Sequence, residues 1–76
     1  MKTEADWTYQ VKGLLKGELA RRNVSYQALA ESLKVLGVEE TPENIANKIS
    51  RGRFPAVFLV QCLEAIGCKV VRLDEA

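Results

Sequence analysis

Histidine is absent from this chain, and only two cysteines, two prolines, one methionine and one tryptophan occur in its 76 residues. Without histidine no side chain titrates near neutrality to act as acid or base, and no zinc set can be completed around Cys62 and Cys68. Two cysteines are also too few for a disulfide scaffold. Neither a nucleophile–base pair nor a glycine-rich phosphate loop is visible, so no enzyme activity and no cofactor are expected. Cys62 falls in an apolar helical run, where a free thiol packs as a small hydrophobe, and both cysteines are expected reduced, structural and metal-free.

Long hydrophobic runs are missing too. Nothing approaches the roughly 20 apolar residues a bilayer span requires, and residues 1–6 are polar and acidic rather than signal-like. A cytoplasmic chain with no membrane contact and no evident small-molecule ligand is expected. An excess of one charge is lacking as well: 11 Lys+Arg against 10 Asp+Glu leave a formal +1. That is not the strongly basic balance of a typical nucleic-acid binder. What remains, 47% hydrophobic and 28% charged residues, is the composition of a folded chain. At this size residues 1–76 form a single domain whose one core supplies only a few kcal/mol, so partner contacts or dimerisation would add to stability.

The pattern is mainly α. Trp7, Val11, Leu14, Leu15 and Leu19 recur at spacings of three and four, giving an amphipathic helix over about 6–22 with Asp6 as its N-cap. Gly13 and Gly17 fall on its opposite face, where each costs up to about 1 kcal/mol relative to Ala. Ser25 caps a second helix over about 26–36, with Val24 and Leu29 spaced as a hydrophobic staple and Gly37 placed to end it left-handed. Thr41 followed by Pro42 opens a third, over about 42–51, with Ile45 and Ile49 inward and Gly52 closing it. The fourth, about 55–66, starts at Phe54-Pro55 and is apolar nearly all round, which predicts the most buried helix. Lys69, Val70, Val71, Arg72 and Leu73 then read as a short strand over 69–73. A lone strand must pair with another chain or fray, so Val70, Val71 and Leu73 are candidate homodimer contacts. The tail from Asp74 is expected to be solvated.

The third helix carries the most specific pattern. At 100° per residue Asn44, Asn47, Lys48 and Arg51 share a stripe opposite Ile45 and Ile49, and Arg53 follows directly after Gly52. The near-neutral total thus hides a local basic patch at Lys48, Arg51 and Arg53. Asparagine can bond adenine edges in the major groove, and arginine and lysine can read guanine or neutralise phosphate. An exposed helix face is polar in any protein, so the stripe alone would equally describe a solvated surface.

A capped helix, a turn and a second capped helix backed by an apolar one is the order of a helix-turn-helix module. From Val24 to Gly67 the chain resembles the lambda-repressor-like (Cro/CI, XRE) helix-turn-helix family. Three segments carry the likeness: the one opening Val24-Ser25-Tyr26-Gln27, the one running Asn44-Ile45-Ala46-Asn47-Lys48-Ile49-Ser50-Arg51-Gly52, and Leu63-Glu64-Ala65-Ile66-Gly67. Taken whole, from Trp7 to Leu73, it looks closer still to an uncharacterised family of small bacterial proteins, through Asn47-Lys48-Ile49-Ser50-Arg51-Gly52 and the Phe-rich helix after it. The first resemblance implies a four-helix DNA-binding domain, a homodimeric transcription regulator on a short duplex site. It implies that Thr41, Glu43, Asn44, Asn47 and Lys48 read base edges. Gln27, Arg51 and Arg53 would contact the phosphate backbone of double-stranded DNA. Glu43 suits a first-turn acid favoured by the helix dipole as well as an acceptor from cytosine.

One feature departs from that family. The connector Gly37-Val38-Glu39-Glu40-Thr41 exceeds the usual three or four residues. Its two glutamates would repel phosphate if they faced a duplex. The alternative is a helical protein–protein interaction module, an adaptor, antitoxin-like partner or phage accessory protein, with no DNA binding.

Overall fold

The computed structural model describes residues 1–75 and consists of four α-helices followed by a 3-10 turn. They are α1 (Glu4–Arg21), α2 (Tyr26–Val35), α3 (Pro42–Arg51) and α4 (Ala56–Ala65), with the turn at Leu73–Glu75. Three of the four starts are set by a hydroxyl that accepts from a first-turn amide. Ser25 Oγ accepts from the Ala28 N–H at 3.1 Å and Thr41 Oγ1 from the Asn44 N–H at 3.1 Å. At α1 the cap is Thr3, three residues before the expected Asp6. Asp6 serves instead as the reciprocal partner: its carboxylate accepts from the Thr3 N–H at 2.9 Å while Thr3 Oγ1 accepts from the Asp6 N–H at 3.2 Å. The Thr3 backbone donor, then its hydroxyl, hold the Asp6 carboxyl below its ordinary range.

Every helix contributes to one core, formed by Leu15 and Leu19 of α1, Leu29, Ala30 and Leu33 of α2, Ile45 and Ile49 of α3, and Phe58 and Cys62 of α4. Two expectations about burial fail. Trp7 is 52% exposed, with the Lys2 ammonium 4.5 Å above its ring, because the buried side chains of α1 begin only at Leu14. The heptad-like spacing of Trp7 continues the stripe past the end of the core. Nor is α4 the most buried helix: only Phe58 and Cys62 are enclosed, and Val57 and Val60 are 65% and 60% exposed. α4 packs against α2 and α1, and a helix apolar all round does not encode which side does so.

Residues 69–72 are irregular, and no strand occurs among the described residues. Local contacts hold the segment. The Cys68 thiol donates to the Val70 carbonyl at 3.3 Å, and the Arg72 guanidinium grips Asp74 through contacts of 2.9 and 3.3 Å. Val70 and Leu73 are exposed and Val71 is half-buried, and none of these three candidate dimer contacts lies in a strand. Asp74 is exposed, and Ala76 lies outside the described residues.

α1 is clasped to the end of α3. Gly52 takes φ +67° and is buried, and a Cβ there would meet Thr8 Cγ2 at 2.6 Å and the Thr8 carbonyl at 2.8 Å. Lys12 Nζ donates to the Ser50 carbonyl at 3.0 Å, adding a cation where the α3 dipole is negative. Gly67 has a similar φ of +75° but open space around it. Gly67→Ala should therefore cost only the left-handed strain of about 1–2 kcal/mol. Gly52→Ala should cost more than that, roughly 3 kcal/mol or above, since clash adds to strain; paired urea melts measure the difference.

At the other end of α1, Glu18 is buried and accepts from Arg21 at 2.6 Å and from Arg22. The Arg21 bond, aided by Arg22, holds its carboxyl below the ordinary value against the opposing effect of burial. A carboxylate with a depressed folded pKa contributes stability above its unfolded pKa, near 4.5, and loses it as pH falls through the folded value. Thermal melts of wild type and Glu18→Gln should differ at neutral pH and converge as pH drops below that range.

Candidate nucleic-acid interface

α3 is held on three sides, which leaves one face outward. Ile45 and Ile49 are fully buried, Thr41 and Pro42 fix its start, and the Gly52 clasp fixes its end. Glu43, Asn44, Asn47, Ser50 and Arg51 are exposed along the outer face, and Arg53 is exposed just beyond it. Asn44, Asn47 and Arg51 thus share one surface as their spacing predicts. Ser50 belongs to the same surface and escaped the sequence pattern, because serine carries no periodic signal of its own.

Lys48 does not join them. Its ammonium turns inward to the Glu40 carboxylate and lies 4.7 Å from the centroid of the Phe58 ring. Glu40 is the more enclosed partner, with a side chain 9% exposed against 38% for Lys48. Phe58 is itself set edge-on to Phe54, ring centres 5.4 Å apart. A lysine so placed is a strut between the connector, α3 and α4. One signal in the sequence pointed this way: on the helical wheel Lys48 lies only about 60° from the buried Ile45. The identity of its partner carried no such signal, since Glu40 precedes the helix.

The same contact resolves the problem of the two connector glutamates. Glu40 is neutralised and turned in, and Glu39 alone is exposed. Below this pair sits the Cys62 thiol, fully enclosed. Burial first, and then the Glu40 charge, push its pKa up to about 12, which makes it an inert packing group.

The remaining candidates divide. Thr41 Oγ1 accepts from the Asn44 amide, so its first role is the cap. Gln27 is exposed in the first turn of α2. Arg53 reaches toward Glu4 at 3.9 Å, both side chains being well exposed, an ion pair worth little and easily exchanged for another anion. The outward face therefore carries two arginines, two asparagine amides, a serine and the single acid Glu43, a weaker basic patch than the three cations counted along the chain. Among the described residues no group of three His, Cys, Asp or Glu could hold a metal, and no helix is long and apolar enough to cross a membrane.

Removing one partner of the Glu40–Lys48 pair strands the other. Lys48→Met should cost about 1–3 kcal/mol, and Glu40→Gln in the same chain should restore most of it, because the buried charge is then gone. Chemical denaturation of the two single variants and the double variant tests this.

No curated protein and no solved structure matches the chain. The family described as "Domain of unknown function (DUF6471)" matches residues 7–71, from the exposed Trp7 through all four helices, and the chain belongs to that family.

Proposed function

We propose that this protein is a small DNA-binding regulator that lays α3 in the major groove of a short duplex site, acting as a homodimer and performing no chemistry. The observation that carries this is the outward face of α3: Asn44, Asn47 and Arg51 exposed together on a helix whose start, end and inner side are all immobilised. Asparagine amides bond adenine bidentately and arginine suits guanine or phosphate. A rigid helix keeps the ordering cost of such contacts low. The helix-turn-helix likeness of α2 and α3 supports the same assignment, with Gln27 and Arg53 flanking α3 as backbone contacts and Glu43 as the candidate acceptor from cytosine. Lys48 drops out of the base-reading set because it is committed to Glu40 and Phe58.

A second reading, a protein-binding helical module without DNA binding, is favoured by the exposed Val35, Val57 and Val60. The two separate on salt. Affinity for a duplex of random sequence, followed by fluorescence anisotropy, should fall steeply between low and moderate salt. Arg51→Ala with Arg53→Ala should lower the log–log salt slope by about 2 per copy and weaken every sequence alike. Asn44→Ala or Asn47→Ala should instead lose roughly 1–3 kcal/mol of discrimination at one base position and leave the salt slope intact. Absence of duplex binding at low salt rejects DNA as the partner and leaves the protein-binding module.

A further inference from the structure

We propose that the outer face of α1 is a self-complementary surface that binds a second copy of this chain, the two α1 helices running antiparallel across a dyad at Gly13. The face borders a groove of about 460 Å³ between α1 and the C-terminal segment, with Gly13 and Gly17 as its floor and Tyr9, Leu14 and Leu73 among its walls. Tyr9 is 77% exposed and Leu73 65%, an aromatic and an aliphatic side chain with little of this chain to cover them. Packing within the chain does not require either glycine. A Cβ at Gly13 would meet nothing within 4 Å, and at Gly17 only the flexible end of Arg21, at 3.7 Å.

The order of residues along the face identifies the occupant. An antiparallel copy centred on Gly13 pairs each residue with the one equally far on the other side. Tyr9 then meets the partner's Gly17, so an aromatic side chain lies over a glycine, twice by symmetry. Gln10 faces the partner's Lys16, and Asp6 comes beside the partner's Ala20 and Arg21. The first turn of α1 is acidic at Glu4 and Asp6, while at its far end Arg21 and Arg22 share the single carboxylate of Glu18 and leave a net positive charge, so the antiparallel arrangement matches opposite charges and opposes the two helix dipoles. A parallel copy would set like against like. Close approach of two helices is what a pair of glycines permits, bringing the axes to the short end of the usual 8–10 Å range. This two-fold relation uses a different surface from residues 69–73, which form no strand, and assembly is measured without DNA, so its failure and that of the DNA-binding reading are told apart.

Sedimentation equilibrium of the full chain, with no nucleic acid present, is the test. Wild type should show a concentration-dependent dimer. Gly17→Leu should raise the dimer dissociation constant by about tenfold or more with helical circular dichroism unchanged, since within the chain the new side chain meets only the flexible end of Arg21 while it fills the space the partner's Tyr9 would take. Gly13→Cys under mild oxidation should give a disulfide-linked dimer, whereas Lys34→Cys on α2 should not; Cys62 and Cys68 are buried and stay out of the reaction. A wild-type monomer at every concentration overturns the proposal. So does a dimer that Gly17→Leu leaves intact, or one that Gly13→Cys fails to link.

Discussion

At Gly52 the chain leaving α3 passes against Thr8 and Lys12 of α1 with no room for a Cβ. Everything outward on α3 depends on it. Ile45 and Ile49 fix which side of α3 faces the core, but two buried side chains leave a ten-residue helix free to pivot about them. The Lys12 bond to the Ser50 carbonyl and the steric stop at Thr8 pin the far end. The Thr41 cap pins the near end, and the Glu40–Lys48–Phe58 contact ties the middle to α4. In a domain this small the core alone holds little in reserve, so such directional contacts decide where a helix points as well as whether it forms.

Those contacts also rewrite the electrostatics. Counted along the chain, residues 44–53 hold three cations and no acid. Folding withdraws Lys48 and, in the same step, Glu40, so the surface loses one charge of each sign near α3. What is presented outward is less basic and richer in amides than the linear pattern suggests. The connector longer than a standard helix-turn-helix turn is what makes this possible, because it gives Glu40 the reach to fold back under α3.

Local signals carried most of the architecture. Ser25, Thr41-Pro42 and the glycines after α2, α3 and α4 act within one turn of themselves, and the structure places those helix ends where the residues require. Long-range facts were another matter. Trp7 continues the apolar spacing of α1, yet exposure is decided by whether another element lies over that turn, which spacing cannot express. The β-branched residues near 70 favour extension, but a strand needs an edge to pair with and none is at hand. Periodicity alone puts Lys48 on the outer stripe; its position beside Ile45 on the wheel is the readable warning. Gly52 was legible as a helix terminator and illegible as a contact with Thr8, since nothing in either segment names the other.

A face with two exposed arginines sets limits on how such a domain could hold DNA. Electrostatic affinity grows with the number of phosphates neutralised, and a single copy offering Arg51 and Arg53 neutralises few. Amide contacts to bases add discrimination but presuppose that the helix is already seated in the groove. Two copies joined by a dyad double the cations and turn the second contact into an intramolecular one, which raises affinity without any new residue. The weakness of the charge pattern is therefore an argument for assembly: the less basic α3 is, the more a DNA-binding role would need a second copy, and the outer face of α1 is the surface proposed to bind it.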